Sequence, residues 1–121
     1  MPHNHQITQE MHRCIEYCLE CHAICVEAIT HCLELGGKHP FVGQIGVLQD
    51  CAQICQTSAD FMLRGSGRDV EISRICADIC ERCADDCDHM APGDETLKRC
   101  AEICRRCASS CLAMAAAGVR S

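Results

Sequence analysis

The spacing of the cysteines is the feature that most constrains how this chain folds. Cysteines recur at intervals of four, three and four residues within long stretches that contain no proline and no run of β-branched residues. This is the period of one face of an α-helix. The stretch that begins Cys76-Ala-Asp-Ile-Cys80 recurs 24 residues later from Cys100, and Cys51 opens a shorter copy. The chain therefore consists of variants of one helix.

Glycine and proline divide the chain into four such helices. The breaks are Gly36-Gly37 with Pro40, then Gly65-Ser66-Gly67, then Pro92-Gly93-Asp94, and Gly118 closes the last segment. We predict helices at about 6–35, 41–64, 69–90 and 95–117, with Asp69 and Asp94 as N-caps. Short loops between four similar helices predict an all-α, antiparallel up-and-down four-helix bundle, and 1–121 is one domain.

In such a bundle the cysteines occupy the a and d positions, which face the bundle axis. The predicted core is lined by Cys14, Cys18, Cys21, Cys25, Cys32, Cys51, Cys55, Cys76, Cys80, Cys83, Cys87, Cys100, Cys104, Cys107 and Cys111. Met11, Met90 and Met114 continue the same face, and the charged residues Asp78, Glu81, Arg82, Asp85, Arg105 and Arg106 are predicted to face outward. Cysteine is 15 of 121 residues and only 2% are aromatic, so thiols must fill much of the core.

Charge and hydropathy exclude several classes of partner. The net charge is −6, with no basic run, which argues against nucleic-acid binding. No stretch approaches the roughly 18 apolar residues of a membrane span. The N-terminus, Met1-Pro2-His3-Asn4-His5, lacks the features of a signal peptide, so we expect a cytoplasmic protein, where structural disulfides are rare.

A core of thiols has three interpretations besides a metal site. Single buried cysteines are ordinary small apolar residues, but fifteen on one register are not explained in that way. Disulfides along a helix are excluded by distance, because Cβ atoms at i and i+4 lie about 5–6 Å apart and a disulfide needs about 3.5–4.5 Å. A redox-active thiol protein would require an exposed cysteine of lowered pKa.

Among metals, Cu(I) suits the spacing best. Cu(I) is soft, prefers thiolate and thioether sulfur, and two sulfurs suffice to hold it, so a continuous row of cysteines suits many ions, on the order of one per cysteine. The spacing also fits zinc pairs formally, whereas iron–sulfur and di-iron motifs are absent from the sequence. A structural zinc or cadmium bundle and a regulatory metal sensor remain alternatives.

The Cys-Ala-x-Ile-Cys repeats, the Cys-x-x-x-Cys spacing and the length resemble the bacterial copper storage proteins, from about Cys14 to Met114. This resemblance implies a four-helix bundle that stores multiple Cu(I) ions inside, is not an enzyme, and exchanges copper with chaperones or copper enzymes. Because the N-terminus shows no signal-peptide features, we expect the chain to belong to the cytosolic branch of this family. All fifteen cysteines are implied as ligands. Helix 2 departs from the repeat at Ser58 and Met62.

The resemblance also implies histidine and methionine ligands where copper enters. The up-and-down topology predicts that one end of the bundle gathers His31, Cys32, His39, His89 and Met90, and the other Met11, Met62 and Met114. Of these, Met62, His89 and Met90 are further candidate copper ligands. His22 lies within a second apolar stripe on helix 1 formed by Leu19, Val26 and Ile29, which predicts a subunit contact in a homo-oligomer.

Overall fold

The computed structural model describes residues 7–35, 42–90 and 92–119. It contains four helices, α1 (Gln9–Leu35), α2 (Val42–Arg64), α3 (Asp69–Met90) and α4 (Glu95–Val119). These bounds differ from the predicted ones by at most three residues, since α1 begins at Gln9 and α4 continues through Gly118. Of the predicted breaks, Gly36-Gly37 and Pro40 lie outside the described residues.

Each helix packs against two neighbours, so that α1 and α3 both contact α2 and α4. Neighbouring helices run in opposite directions. Cys14 near the start of α1 lies beside Cys111 near the end of α4, and Cys25 lies beside Cys100. The predicted antiparallel four-helix bundle with a cysteine-lined core is confirmed. None of the helices in the described part of the chain is sufficiently long and apolar to cross a membrane.

The ends of the helices show how the sequence sets their bounds. The Thr8 hydroxyl accepts a hydrogen bond from the Met11 amide at 3.1 Å, so α1 begins at Gln9 and not at residue 6. α2 ends in a Schellman motif, in which the amides of Gly65 and Ser66 donate to the carbonyls of Met62 and Phe61. Gly65 has φ 68°, the left-handed conformation that glycine adopts without strain.

The predicted N-caps have different outcomes. Asp94 caps α4, since its Oδ1 accepts from the Leu97 amide at 3.0 Å and its carbonyl accepts from the Lys98 amide. The prediction for Asp69 is wrong by one residue. The carbonyl of Arg68 accepts the first helical hydrogen bond, from Ile72, so Asp69 is the first residue inside α3. There its carboxylate interacts favourably with the positive end of the helix dipole.

Candidate metal centre

The fifteen cysteines form one continuous row along the bundle axis, which we call the thiol row. Every one of them is buried, and Cys32, at 4% exposure, is the most exposed. All are free thiols. The outward-facing charged residues predicted from the sequence, such as Glu81 and Arg106, are exposed. The row is thus shielded by the helices that carry it.

Sulfur atoms from different helices lie close together because the helices are antiparallel and share one cysteine period. Cys14 and Cys111 make the shortest of these contacts, with 3.3 Å between their Sγ atoms. Along one helix, Cys76 and Cys80 lie 3.9 Å apart at Sγ. These separations exceed the roughly 2 Å of a disulfide bond and let one ion bind between two sulfurs.

The row is organised in layers, two of which contain a cysteine from every helix. One complete layer comprises Cys21, Cys51, Cys80 and Cys104, in which Cys51 lies 3.9, 3.7 and 3.9 Å from the other three at Sγ. The next comprises Cys18, Cys55, Cys76 and Cys107, with Cys55–Cys76 at 3.7 Å and Cys18–Cys107 at 3.7 Å. These two layers are the middle of the row.

The sulfurs fall into five overlapping sets of four, within each of which all sulfurs lie within 4.8 Å of one another. The sets are Cys18/Cys76/Cys107/Cys111, Cys55/Cys76/Cys80/Cys107, Cys21/Cys51/Cys55/Cys80, Cys21/Cys25/Cys51/Cys104 and Cys25/Cys83/Cys100/Cys104. Adjacent sets share members, so a thiolate in one set can bridge to an ion in the next. Cys14, Cys32 and Cys87 belong to none of them and extend the row at its ends.

Four other buried residues lie on the cysteine-bearing faces of α2 and α3. Ser58 and Met62 on α2, which depart from the repeat, are buried at 1% and 0% exposure. Ser73 on α3 lies one turn before Cys76 and is also buried. Sequence reasoning missed Leu48, although its position three residues before Cys51 was the signal, and it is fully buried.

The thiols alter one another's pKa values. Hydrogen bonds with neighbouring thiols raise the pKa of Cys55, and the bond with Cys107 has the largest effect. Burial raises this pKa further. Hydrogen bonds from other thiols, with Cys107 again first, lower the pKa of Cys76 to about 3. A single thiolate is therefore stabilised by the S–H groups around it, while ionisation of the whole row is opposed by burial and like charge. Cations bound between the sulfurs would remove that opposition.

At one end of the row, the histidine end, the structure describes four of the five predicted residues. His31 directly precedes Cys32 in the sequence, and its Nε2 lies 2.8 Å from Oδ2 of Asp94. Met90 is half-buried and packs against the core. His89 is exposed, and its Nδ1 donates to the Asp85 carbonyl. His39 lies outside the described residues, as do His3 and His5.

At the other end, the methionine end, the predicted methionines are present. Met62 and Met114 are buried at 0% and 3% exposure, and Met11 packs against the core from a half-buried position. His22 is half-buried, and its Nδ1 donates to the Ala52 carbonyl at 2.7 Å, which joins α1 to α2. Leu19 and Val26 of the apolar stripe are 40% and 45% exposed.

The chain is similar to known proteins over most of its length. A family model described as copper storage protein matches residues 7–116. The Cu(I)-bound copper storage protein BsCsp3 of Bacillus subtilis is 36% identical with a TM-score of 0.83, over 88% of this chain and 99% of that one. Copper storage protein Ccsp of Streptomyces lividans, loaded with 10 copper equivalents, is 31% identical with a TM-score of 0.80, over 89% and 85%. Nmul_A1745 of Nitrosospira multiformis is 39% identical with a TM-score of 0.82, over 90% and 97%.

Proposed function

Since the chain belongs to the copper storage protein family, we propose that its thiol row stores and sequesters multiple Cu(I) ions in the cytoplasm. The observation that carries this proposal is the overlap of the five sets of four sulfurs. Isolated tetrahedral sites would suit a few zinc ions, whereas shared members suit bridging thiolates and a continuous series of soft ions.

Copper binding is also consistent with the electrostatics of the core. Each Cu(I) that binds displaces a proton from a thiol, so one positive charge replaces another and the buried row stays near neutral. The proton leaves to solvent, and no electron is transferred. Storage of this kind needs binding and release and no catalytic group, so the protein is not proposed to be an enzyme.

The proposed ligands are the fifteen cysteines of the thiol row, with Met62, His89 and Met90 at its ends. Met62 is buried beside the row, and Met90 packs against it. Because His89 uses Nδ1 to donate to Asp85, its Nε2 is the atom proposed for copper. Cys32, as the most exposed thiol of the row, is the proposed first cysteine that an entering ion meets.

The proposed partners are copper ions, together with copper chaperones or copper enzymes that deliver or receive them. The exposed residues Leu19 and Val26 on α1 support self-association through that helix, so a homo-oligomer is also proposed. The thiol row needs neither another protein nor a second copy of this chain to bind copper, because its ligands come from a single chain.

Anaerobic titration of the reduced protein with Cu(I), in competition with a chromogenic chelator, tests the proposal. We expect more than ten ions per chain before the chelator begins to form its complex. Saturation at one or two ions would contradict storage. Repeating the titration on Zn(II)-loaded protein separates the alternatives, since a structural zinc bundle would retain zinc in stoichiometric amount and a copper store would release it.

A further inference from the structure

Two serines in the core have no evident structural role. Ser58 and Ser73 are 1% and 0% exposed, and they are the buried polar side chains among the described residues. Within the same part of the chain, neither hydroxyl has a hydrogen-bond partner. Buried hydroxyls are almost always paired, so an unpaired pair inside a core of thiols calls for a functional explanation.

The register of the helices places both serines in one layer of the thiol row. The complete layer of Cys21, Cys51, Cys80 and Cys104 is held by sulfur contacts of 3.6 to 3.9 Å. Moving seven residues, two helical turns, from each member toward the methionine end leads to Cys14, Ser58, Ser73 and Cys111. We call these four residues the serine layer.

We propose that Ser58 and Ser73 donate hydrogen bonds to the copper-bound thiolates around the serine layer and thereby strengthen copper binding at the methionine end. This inference rests on the proposed storage of Cu(I). The serines are positioning residues, because a hydroxyl oxygen is a hard donor that Cu(I) does not select. They would act through Cys14 and Cys111 and through the cysteines one turn away, Cys55 and Cys76.

The reason lies in the change that copper makes to sulfur. In the free protein the sulfurs are thiols, which are weak hydrogen-bond acceptors. When Cu(I) replaces the proton, the sulfur becomes a thiolate, and an O–H group that donates to an anion makes a stronger hydrogen bond. Elsewhere in the row, thiols and further copper ions surround each thiolate, but the serine layer has only two cysteines. The Ser110 side chain already forms a hydrogen bond with Cys14. The two buried hydroxyls would add further donors on the α2 and α3 side of the layer, where no cysteine is present.

Cys14 and Cys111 fit the role of the end ligands. Their Sγ atoms are 3.3 Å apart, and two sulfurs are enough for one Cu(I). Beyond them, Met62 and Met114 close the row with thioethers, which carry no charge for a hydroxyl to stabilise. The two serines therefore lie where the last charged ligands of the row end.

The role has opposite consequences for the free and loaded protein. In the free protein the unpaired hydroxyls are destabilising, so replacing them with alanine should raise the melting temperature. In the loaded protein the same replacement removes donors to thiolate and should weaken copper binding. A purely structural role, such as a hydrogen bond to the backbone, would lower the melting temperature of the free protein and leave copper affinity unchanged.

The test compares Ser58→Ala/Ser73→Ala with Ser109→Ala, an exposed serine on α4 that serves as control. In a chelator competition at saturating Cu(I), we expect the double variant to keep the wild-type capacity. Its most weakly held ions should be released at about tenfold lower chelator concentration. The free double variant should melt at a higher temperature than the control. Unchanged copper affinity would overturn the inference, and a lower melting temperature alongside it would indicate a purely structural role for the serines.

A second variant tests the placement without depending on hydrogen bonds. In Ser58→Cys/Ser73→Cys, the serine layer would contain four thiols, and we expect about two more ions per chain. No increase would show that these side chains do not face the row. If wild type itself takes up only one or two ions, the storage proposal fails. If wild type stores more than ten and the alanine variant matches the control, only this inference fails.

Discussion

His31 and Asp94 are joined by a 2.8 Å contact between Nε2 and Oδ2, which links the last turn of α1 to the start of α4. The other oxygen of Asp94 accepts the Leu97 amide and caps α4. The Asp94 carboxylate therefore caps α4 and also connects the start of α4 to α1. This contact lies at the histidine end, beside Cys32. The contact is half-shielded, with side-chain exposures of 29% for His31 and 18% for Asp94.

Replacing Asp94 should destabilise the bundle through the loss of this cap. Asp94→Ala removes the acceptor of the Leu97 amide, and we expect the free energy of unfolding to fall by about 1 kcal/mol. Urea unfolding of the reduced, metal-free protein measures it. Asp94→Asn keeps an oxygen that can cap the helix, so its loss should be smaller. Equal losses in the two variants would show that the cap contributes little.

The same carboxylate gives the stability a pH dependence. Burial alone would raise the pKa of Asp94, but the hydrogen bonds from His31 and the Leu97 amide lower it overall. Because the folded pKa lies below the unfolded value of about 3.9, the contribution is fully present above that pH and is lost as pH falls through the folded value. Unfolding free energies of wild type and Asp94→Asn, measured from pH 7 to pH 2, should therefore converge below about pH 4. A difference independent of pH would contradict this assignment.

Leu48 occupies a place in the row that a cysteine could take. It is fully buried on α2, one turn before Cys51, and the antiparallel register sets it in the layer of Cys25, Cys83 and Cys100. Leu48→Cys would make this a third complete layer, so we expect about one more Cu(I) per chain in the chelator competition. The smaller side chain should also destabilise the free protein by about 1–3 kcal/mol.

Leu63→Cys provides the matched control on the same helix. Leu63 is 52% exposed, so the new thiol would lie outside the row. We expect no extra copper that withstands the chelator and little change in stability. If both variants gain the same number of ions, the capacity reflects the total count of thiols and not the geometry of the row.

Cysteines in the middle of the row should matter more for capacity than those at its ends. Cys51 belongs to two of the sets of four sulfurs, whereas Cys32 belongs to none. We expect Cys51→Ala to lose about two ions per chain and Cys32→Ala about one or fewer, because a bridging thiolate serves two ions. Copper retained against the chelator measures both. A larger loss from Cys32→Ala would argue against bridging in the middle of the row.

The sequence predicted the helices and the buried face well because both follow from local spacing. The intervals between cysteines mark one face of each helix. Glycine marks the breaks between helices, as Gly65 does in the motif that ends α2. The largest error in a helix bound, three residues at the start of α1, came from an overlooked cap, whereas the bounds of α3 were correct although its cap was misplaced. Thr8 set the start of α1, and at α3 the Ser66 hydroxyl accepts from the Arg68 amide and moves the cap away from Asp69.

The relations between helices could not be predicted in the same way. Which cysteines share a layer depends on how far α2 slides along α1, and no local pattern encodes that displacement. This register sets which cysteines share a layer with Leu48, and it places Ser58 and Ser73 in one layer. The pairing of His31 with Asp94 likewise requires the end of α1 and the start of α4 to lie at the same height along the bundle axis.

Copper should stabilise the fold itself, because its ligands come from all four helices. An ion that binds the folded chain and not the unfolded one raises stability in proportion to the logarithm of its free concentration over its dissociation constant. We expect the melting temperature, followed by far-UV circular dichroism under anaerobic conditions, to rise stepwise with each addition of Cu(I) and to return after chelation. Cys51→Ala, which breaks two of the five sets, should show a smaller rise at equal loading. An unchanged melting temperature at ten ions per chain would mean that copper is not bound across the helices.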